Sequence, residues 1–186
     1  AAITPNSDVT FHNLDMSSIH PEKRIVDIMV EMGADISIDD KAKTIQVRTS
    51  KSMRGIDIDV THSPDLVPIL SVLGCFAKGK TRILNGEHVR YKESDRIASM
   101  MELTKIGARM EERRDGIDIL GIDHFTGSAV LDAHLDHRVA TALSVAGLCS
   151  EQETVITRAE KFVMSYPGFI DDMNALGSAL EIEDGQ

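Results

Sequence analysis

Residues 88–96, His-Val-Arg-Tyr-Lys-Glu-Ser-Asp-Arg, hold the densest chemistry in this sequence. Arg90, Lys92 and Arg96 stand among Glu93 and Asp95, and the run leads into Ile97, Met100, Met101 and Thr104 at helical spacing. The charges therefore gather at the start of a helix, where free N–H groups and the helix dipole favour an anion. Lys92 and Arg96, four apart, can reach one ligand from one side. Two similar starts are Asp136-His137-Arg138, ahead of a helix running to Gly147, and Pro64-Asp65, ahead of Leu66 to Gly74. Asp65 and Asp136 are expected to cap those helices, with Pro68 as a third helical residue whose missing N–H needs no partner. Arg138 interrupts an otherwise apolar helix in its first turn, and an unpaired Arg there is costly to bury. The plain alternative for the whole set is a solvated charge run beside two capped helices.

Composition narrows the chemistry. The chain has 186 residues, enough for one substantial core or two small ones, and its 42% hydrophobic and 27% charged content is that of a globular protein. A formal net charge of −10 argues against a general nucleic-acid or anionic-membrane binder, and 4% aromatics argues against base stacking. A basic cluster in an acidic protein points instead to a local pocket for a small anion. No apolar run reaches the length of a membrane span. The seven histidines show no HExxH spacing and no pairing with cysteine, so no metal site is expected. Cys75 and Cys149 each end an apolar helical run and read as free, buried thiols.

The elements that must position these residues repeat about every 72 positions. Val9-Thr10-Phe11-His12 reads as a strand, followed by a helix from Glu22 to Gly33 with Ile25, Ile28, Met29 and Met32 on its apolar face. Moving on 72 residues gives Ile97, Met100, Met101 and Thr104. Phe169 to Gly177 is a third copy. Each helix ends at a Gly followed by a short strand, beginning Gly33-Ala34, Gly107-Ala108 and Gly177-Ser178. The first two strands turn through Asp39-Asp40-Lys41 and Arg114-Asp115-Gly116 into Thr44–Val47 and Ile117–Leu120. A second helix type, apolar nearly all round, alternates with the first; Ser71-Val72-Leu73-Gly74 matches Ser144-Val145-Ala146-Gly147. The fold class is α/β (α+β), built from β-α-β-α-β-β units around buried helices. Residues 56–120 form one unit, 128–186 a second short of its last strand, and 1–48 a partial one. By this plan Ala1-Ala2-Ile3 falls at the tail of a helix lying upstream, and 1–186 is an incomplete single domain. The same offsets put Glu93 near the first turn of its helix with Lys92 just before it.

With this plan in place, the sequence resembles the 5-enolpyruvylshikimate-3-phosphate (EPSP) synthases. The resembling motifs are Arg90-Tyr91-Lys92-Glu93-Ser94-Asp95-Arg96, Pro64-Asp65, Asp136-His137-Arg138 and Ser165-Tyr166-Pro167-Gly168-Phe169, in the family's order and spacing. The resemblance implies a two-domain enzyme of six such units, with this chain making most of the domain that contains the C-terminus. It implies transfer of the enolpyruvyl group of phosphoenolpyruvate to the 5-hydroxyl of shikimate 3-phosphate, with release of phosphate and no metal or organic cofactor. The N-terminal domain would be a necessary partner, and the chain alone would be inactive. By the same resemblance Asp65 is the base for the hydroxyl and Glu93 the acid for the methylene carbon. Lys92 contacts the shikimate phosphate, and Arg96 and Arg138 hold phosphoenolpyruvate. His88 stands where many members carry an Asn on that phosphate, and either donates to the same group or merely ends a strand. One departure is Met164, where many members carry a Lys before the Ser-Phe/Tyr-Pro motif; Lys161 lies three residues earlier.

Two other functions fit the same residue types. One is an enolpyruvyl transferase for a nucleotide sugar, disfavoured by the Lys-Glu-Ser-Asp-Arg run. The other is a non-catalytic repeat domain for binding or assembly, disfavoured by placing Arg138 and the charge run at helix starts. The reduced thiols and the family's pathway imply a cytoplasmic location.

Overall fold

A computed structural model of the protein describes residues 1–183. The elements run β1 (Asp8–His12), α1 (Arg24–Met32), β2 (Asp35–Asp39) and β3 (Thr44–Arg48), then β4 (Asp57–Asp59), α2 (Val67–Cys75) and β5 (Lys80–Leu84). Next come α3 (Arg96–Met100), β6 (Arg109–Arg113), β7 (Gly116–Leu120), β8 (Val130–Asp132) and α4 (His137–Leu148). Then follow β9 (Val155–Thr157), α5 (Phe162–Ser165) and α6 (Phe169–Ala175). Short 3-10 turns lead directly into α1 and α2, another (Glu87–Tyr91) stands a short loop ahead of α3, and a fourth continues α3 to Ile106.

The periodicity is visible in the strand ladders. Three sheets form, in the orders β1-β3-β2, β4-β5-β7-β6 and β8-β9. Asp8 lies opposite Arg48 in the first sheet, and Lys80 opposite Leu120 in the second, each 72 positions on and both antiparallel. Asp57 pairs with Arg82 and Val130 with Val155, 73 positions on and both parallel. The glycines that close the first-type helices, Gly33, Gly107 and Gly177, all have φ near +90° to +100°. A residue with a Cβ resists that conformation, which explains why the same residue type recurs at this point of the pattern.

Helix α2 is buried along nearly its whole length and packs on α3, α4, β5 and β7. Helix α4 buries Val139, Ala140, Ala142, Leu143 and Ala146 but leaves its other face half-exposed, so it is less enclosed than its apolar sequence suggests. Cys75 is buried and free, and burial pushes its thiol up to about 12. Cys149 is free but only half-buried.

Two local expectations are corrected. The helix after Arg96 is α-helical only to Met100, then 3-10 from Met101 to Ile106. A 3-10 helix has three residues per turn, so the face that meets the core is Ile97, Met100, Leu103 and Ile106, all fully buried. Met101 is half-buried and Thr104 exposed. The strand expected at Gly177-Ser178-Ala179-Leu180 does not form. Its counterparts β2 and β6 each pair only with the strand that follows them, and among the described residues 178–180 has no such partner. Asn174 holds the segment instead, its side chain bonding both the N–H and the carbonyl of Leu180 at 2.8 Å.

The β6–β7 turn leaves no room for a side chain at Gly116, where a Cβ would stand 1.9 Å from the Ile83 carbonyl oxygen. Gly116→Ala is expected to push β7 off β5 and cost about 1–3 kcal/mol, as overpacking does. Urea unfolding of the variant measures this directly; an unchanged midpoint would mean that the hairpin shifts freely.

Candidate functional site

Three helix starts converge on one carboxylate. Asp65 Oδ1 accepts from Arg96 Nη1 at 2.7 Å and lies 3.4 Å from Lys92 Nζ, while its Oδ2 is 3.0 Å from Arg138 Nη2. Arg96 has no exposed surface, and its other two nitrogens are also engaged. Its Nε bonds Asp136 Oδ2 at 2.8 Å, and its Nη2 bonds Glu93 Oε2 at 2.7 Å. Ser94 Oγ adds a bond to Asp136 at 3.1 Å. Arg96 is thus the hub, with Asp65, Glu93 and Asp136 around one guanidinium whose planar fork suits three carboxylates at once.

The cap assignments divide. Asp136 does cap α4, accepting from the Arg138 and Val139 N–H groups, and the same carboxylate anchors Arg96. Asp65 does not cap α2. A 3-10 turn, Pro64–Leu66, opens ahead of that helix with Ser63 before it, and Pro68 is the second α-helical residue. Asp65 lies inside the turn, free to face the three cations. Glu93 and Lys92 lie just upstream of α3, near its first turn but not in it. Asp95 caps that helix, bonding Ala98 N–H at 3.1 Å.

Burial alone would raise the Asp65 carboxyl, but the Arg96 hydrogen bond and the charges of Arg138, Arg96 and Lys92 outweigh it and hold the group below its ordinary value. Asp136 follows the same logic: burial raises it, and the Arg96 hydrogen bond and charge, with the Arg138 N–H and Ser94, bring it down. Three cations therefore face three carboxylates, Asp65, Glu93 and Asp136. The cluster is balanced, so a doubly charged anion needs further cations from elsewhere or protonation within the cluster. Lys92 and Arg138 are about one-third exposed and Glu93 more so, whereas Arg96 lies beneath them. Arg138 is thus not a buried charge in an apolar wall; it leans out of α4 onto Asp65.

Of the sequence-derived candidates, Asp65, Lys92, Glu93, Arg96 and Arg138 come together. His88 does not join them. It lies in a 3-10 turn, Glu87–Tyr91, rather than at a strand end, and lines an open groove with Thr61, Asn85 and Tyr91. Met164 is exposed, and Lys161 precedes the short helix α5. The Ser-Tyr-Pro-Gly-Phe stretch makes a small packed corner: Tyr166 Oη donates to Asp172 at 2.6 Å, and Phe169 meets Phe162 and Tyr166 edge-on.

Arg90 has a structural function that its sequence position does not reveal. Its Nη1 bonds Asp95 at 2.7 Å, while Nε and Nη2 bond the carbonyls of Arg114 and Arg113 at 2.8 and 2.6 Å. The loop carrying Lys92 and Glu93 is thereby clamped to the β6–β7 turn. Reading the hairpin and the charge run as neighbours in the repeat would have suggested this link.

No helix among the described residues is long and apolar enough to cross a membrane. A family model described as EPSP synthase (3-phosphoshikimate 1-carboxyvinyltransferase) matches residues 1–173. A 3-phosphoshikimate 1-carboxyvinyltransferase of Methanocaldococcus jannaschii is 45% identical over 184 residues, which is 98% of this chain and 42% of that protein. One of Methanocella arvoryzae is 44% identical over 183 residues, with the same shares. The solved EPSP synthase of Acinetobacter baumannii superposes with a TM-score of 0.83 at 30% identity, over 95% of this chain and 43% of that one. The chain thus spans about two fifths of the length of these relatives. With fold, motif order and family model in agreement over nearly all of its length, this chain belongs to the EPSP synthase family.

Proposed function

We propose that the chain supplies one wall of an active site that transfers the enolpyruvyl group of phosphoenolpyruvate to shikimate 3-phosphate. The observation that carries this reading is Asp65, held ionised by three cations from the starts of two other helices within a chain of this family. Asp65 takes the proton of the 5-hydroxyl as that oxygen bonds to C2 of phosphoenolpyruvate, and Glu93 gives a proton to C3. The tetrahedral adduct then loses phosphate by cleavage of its C2–O bond, the leaving phosphate oxygen taking up the proton held by Asp65, and C3 returns a proton to Glu93 as the double bond re-forms.

Lys92 and Arg138, the more exposed cations, meet the ligands' anionic groups. Arg96 supplies charge from below and reaches a ligand by exchanging its bond to Glu93, the most exposed of its three partners. Protonating Glu93 loosens that same bond, which couples the acid's state to the arginine's freedom. His88, in its separate groove, serves the shikimate phosphate. Phosphate-bearing ligands need cations that the balanced cluster lacks, which supports a second wall contributed by further sequence of the same protein.

The test is phosphate release from shikimate 3-phosphate and phosphoenolpyruvate, with calorimetric titration of both. The chain alone is expected to give no turnover. Adding the sequence its relatives possess beyond this region, as a separate polypeptide, is expected to restore both binding and phosphate release. A folded mixture that neither binds nor turns over these compounds would overturn the assignment.

A further inference from the structure

The link from an arginine to the next unit's helix start occurs twice. Arg24 opens α1, 72 positions before Arg96 opens α3. Arg96 reaches forward to Asp136, the residue before α4. Arg24 reaches forward to Ser63, which is 73 positions before Asp136 and stands before the turn into α2. Its Nη1 donates to Ser63 Oγ at 3.3 Å and also to the Asp59 carbonyl oxygen. The second arginine belongs to the charged cluster; the first does not touch it.

What Arg24 holds is the segment that carries Asp65. Ser63 is fully buried, and its backbone oxygen accepts the Leu66 N–H at 3.1 Å, so the Pro64–Leu66 turn is built on it. Pro64 offers no N–H and has a fixed φ, which removes one of the rotations that could absorb a shift at Ser63 before it reaches Asp65. At the other end, the Asp59 side chain accepts from Thr61 N–H and Asn85 Nδ2, each at 2.8 Å. Arg24 thus bridges both ends of residues 59–63, from an element of the preceding unit.

We infer that Arg24 is a positioning residue, fixing Asp65 at the point where Lys92, Arg96 and Arg138 meet, without itself contacting substrate. This rests on the function proposed for Asp65. It predicts a catalytic effect from a residue outside the ring of charged groups, since a misplacement of about 1 Å costs on the order of 100-fold in rate.

The variants Arg24→Met, Arg24→Lys and Ser63→Ala are made in the complete enzyme. Arg24→Met is expected to lower kcat by about 10- to 100-fold with KM near wild type. It is also expected to move the Asp65 titration, followed by NMR of its carboxyl carbon, upward toward the ordinary aspartate value as the three cations lose register. Arg24→Lys restores part of both, because an ammonium can still donate to the Asp59 carbonyl. Ser63→Ala shifts both readouts in the same direction by less, and it serves as the arbiter if Arg24→Met does not fold. Lower thermal stability with unchanged kcat and an unmoved Asp65 titration would overturn the inference. The NMR readout needs no turnover, so failure of the wild-type assay counts against the proposed reaction, and a stationary Asp65 counts against Arg24.

Discussion

Asp65→Asn in the complete enzyme is expected to reduce kcat by about 100- to 10,000-fold, the range that a positioned general base contributes. Binding should survive. The amide keeps the side chain's shape and one acceptor for Arg96, while removal of one negative charge takes the cluster from balance to a net of plus one. Affinity for phosphoenolpyruvate should therefore be unchanged or tighter, read by calorimetry alongside the rate of phosphate release. Stability should fall little, because Arg96 keeps Asp136 and Glu93 at 2.8 and 2.7 Å. A pattern with kcat preserved and KM raised would recast Asp65 as a brace for the cations rather than the base, and would move the search to another acceptor.

Much of this architecture was legible because the chain repeats itself. An offset of about 72, give or take two residues, is enough to assign the β2–β3 and β6–β7 hairpins, the glycines after the helices and the meeting of helix starts. It also aligns Arg24 with Arg96, although nothing in the spacing says what either touches. What stayed hidden has physical reasons. A 3.6-residue period selects Met101 and Thr104, whereas a helix that tightens to three per turn after Met100 buries Leu103 and Ile106 in their place. Caps were read from residue type, yet Asp65 has the type without the role, because Pro64 starts a turn one residue earlier and three cations compete for the carboxylate. The segment at 178–180 has strand composition but no partner among the described residues, and a lone strand leaves its backbone groups unmatched. The burial of Arg96 is the feature that its sequence context shows least. Arginine is among the residues least often fully buried, and only the converging carboxylates, 31 and 40 positions away in sequence, make its position affordable.

That burial sets up the largest expected effect on stability. Arg96→Met fills a similar volume with an apolar chain but leaves Asp136, which has no exposed side-chain surface, without its cation. Breaking a buried pair by removing one partner costs about 3–5 kcal/mol, more than the pair itself contributes, because the remaining charge stays desolvated. Urea unfolding of the complete enzyme should show a loss of this size. Arg96→Met combined with Asp136→Asn should recover part of it, since no buried carboxylate then remains at that position.

The pH dependence gives the sharper check. In the wild type, Asp65 and Asp136 are held below the ordinary value of 3.8. The folded protein therefore binds fewer protons than the unfolded chain as pH falls past about 4, and their stabilisation, complete above that pH, is lost as pH drops through the folded values. In Arg96→Met the burial of Asp136 is no longer opposed by Arg96, so its carboxyl should rise above the unfolded value. The folded variant then binds the extra proton first, and this site's contribution grows as pH falls toward 4. Opposite slopes from the Asp136 site would establish Arg96 as the counter-charge that makes it tenable; parallel slopes, measured on folded proteins, would mean that Ser94 and the α4 N–H groups suffice.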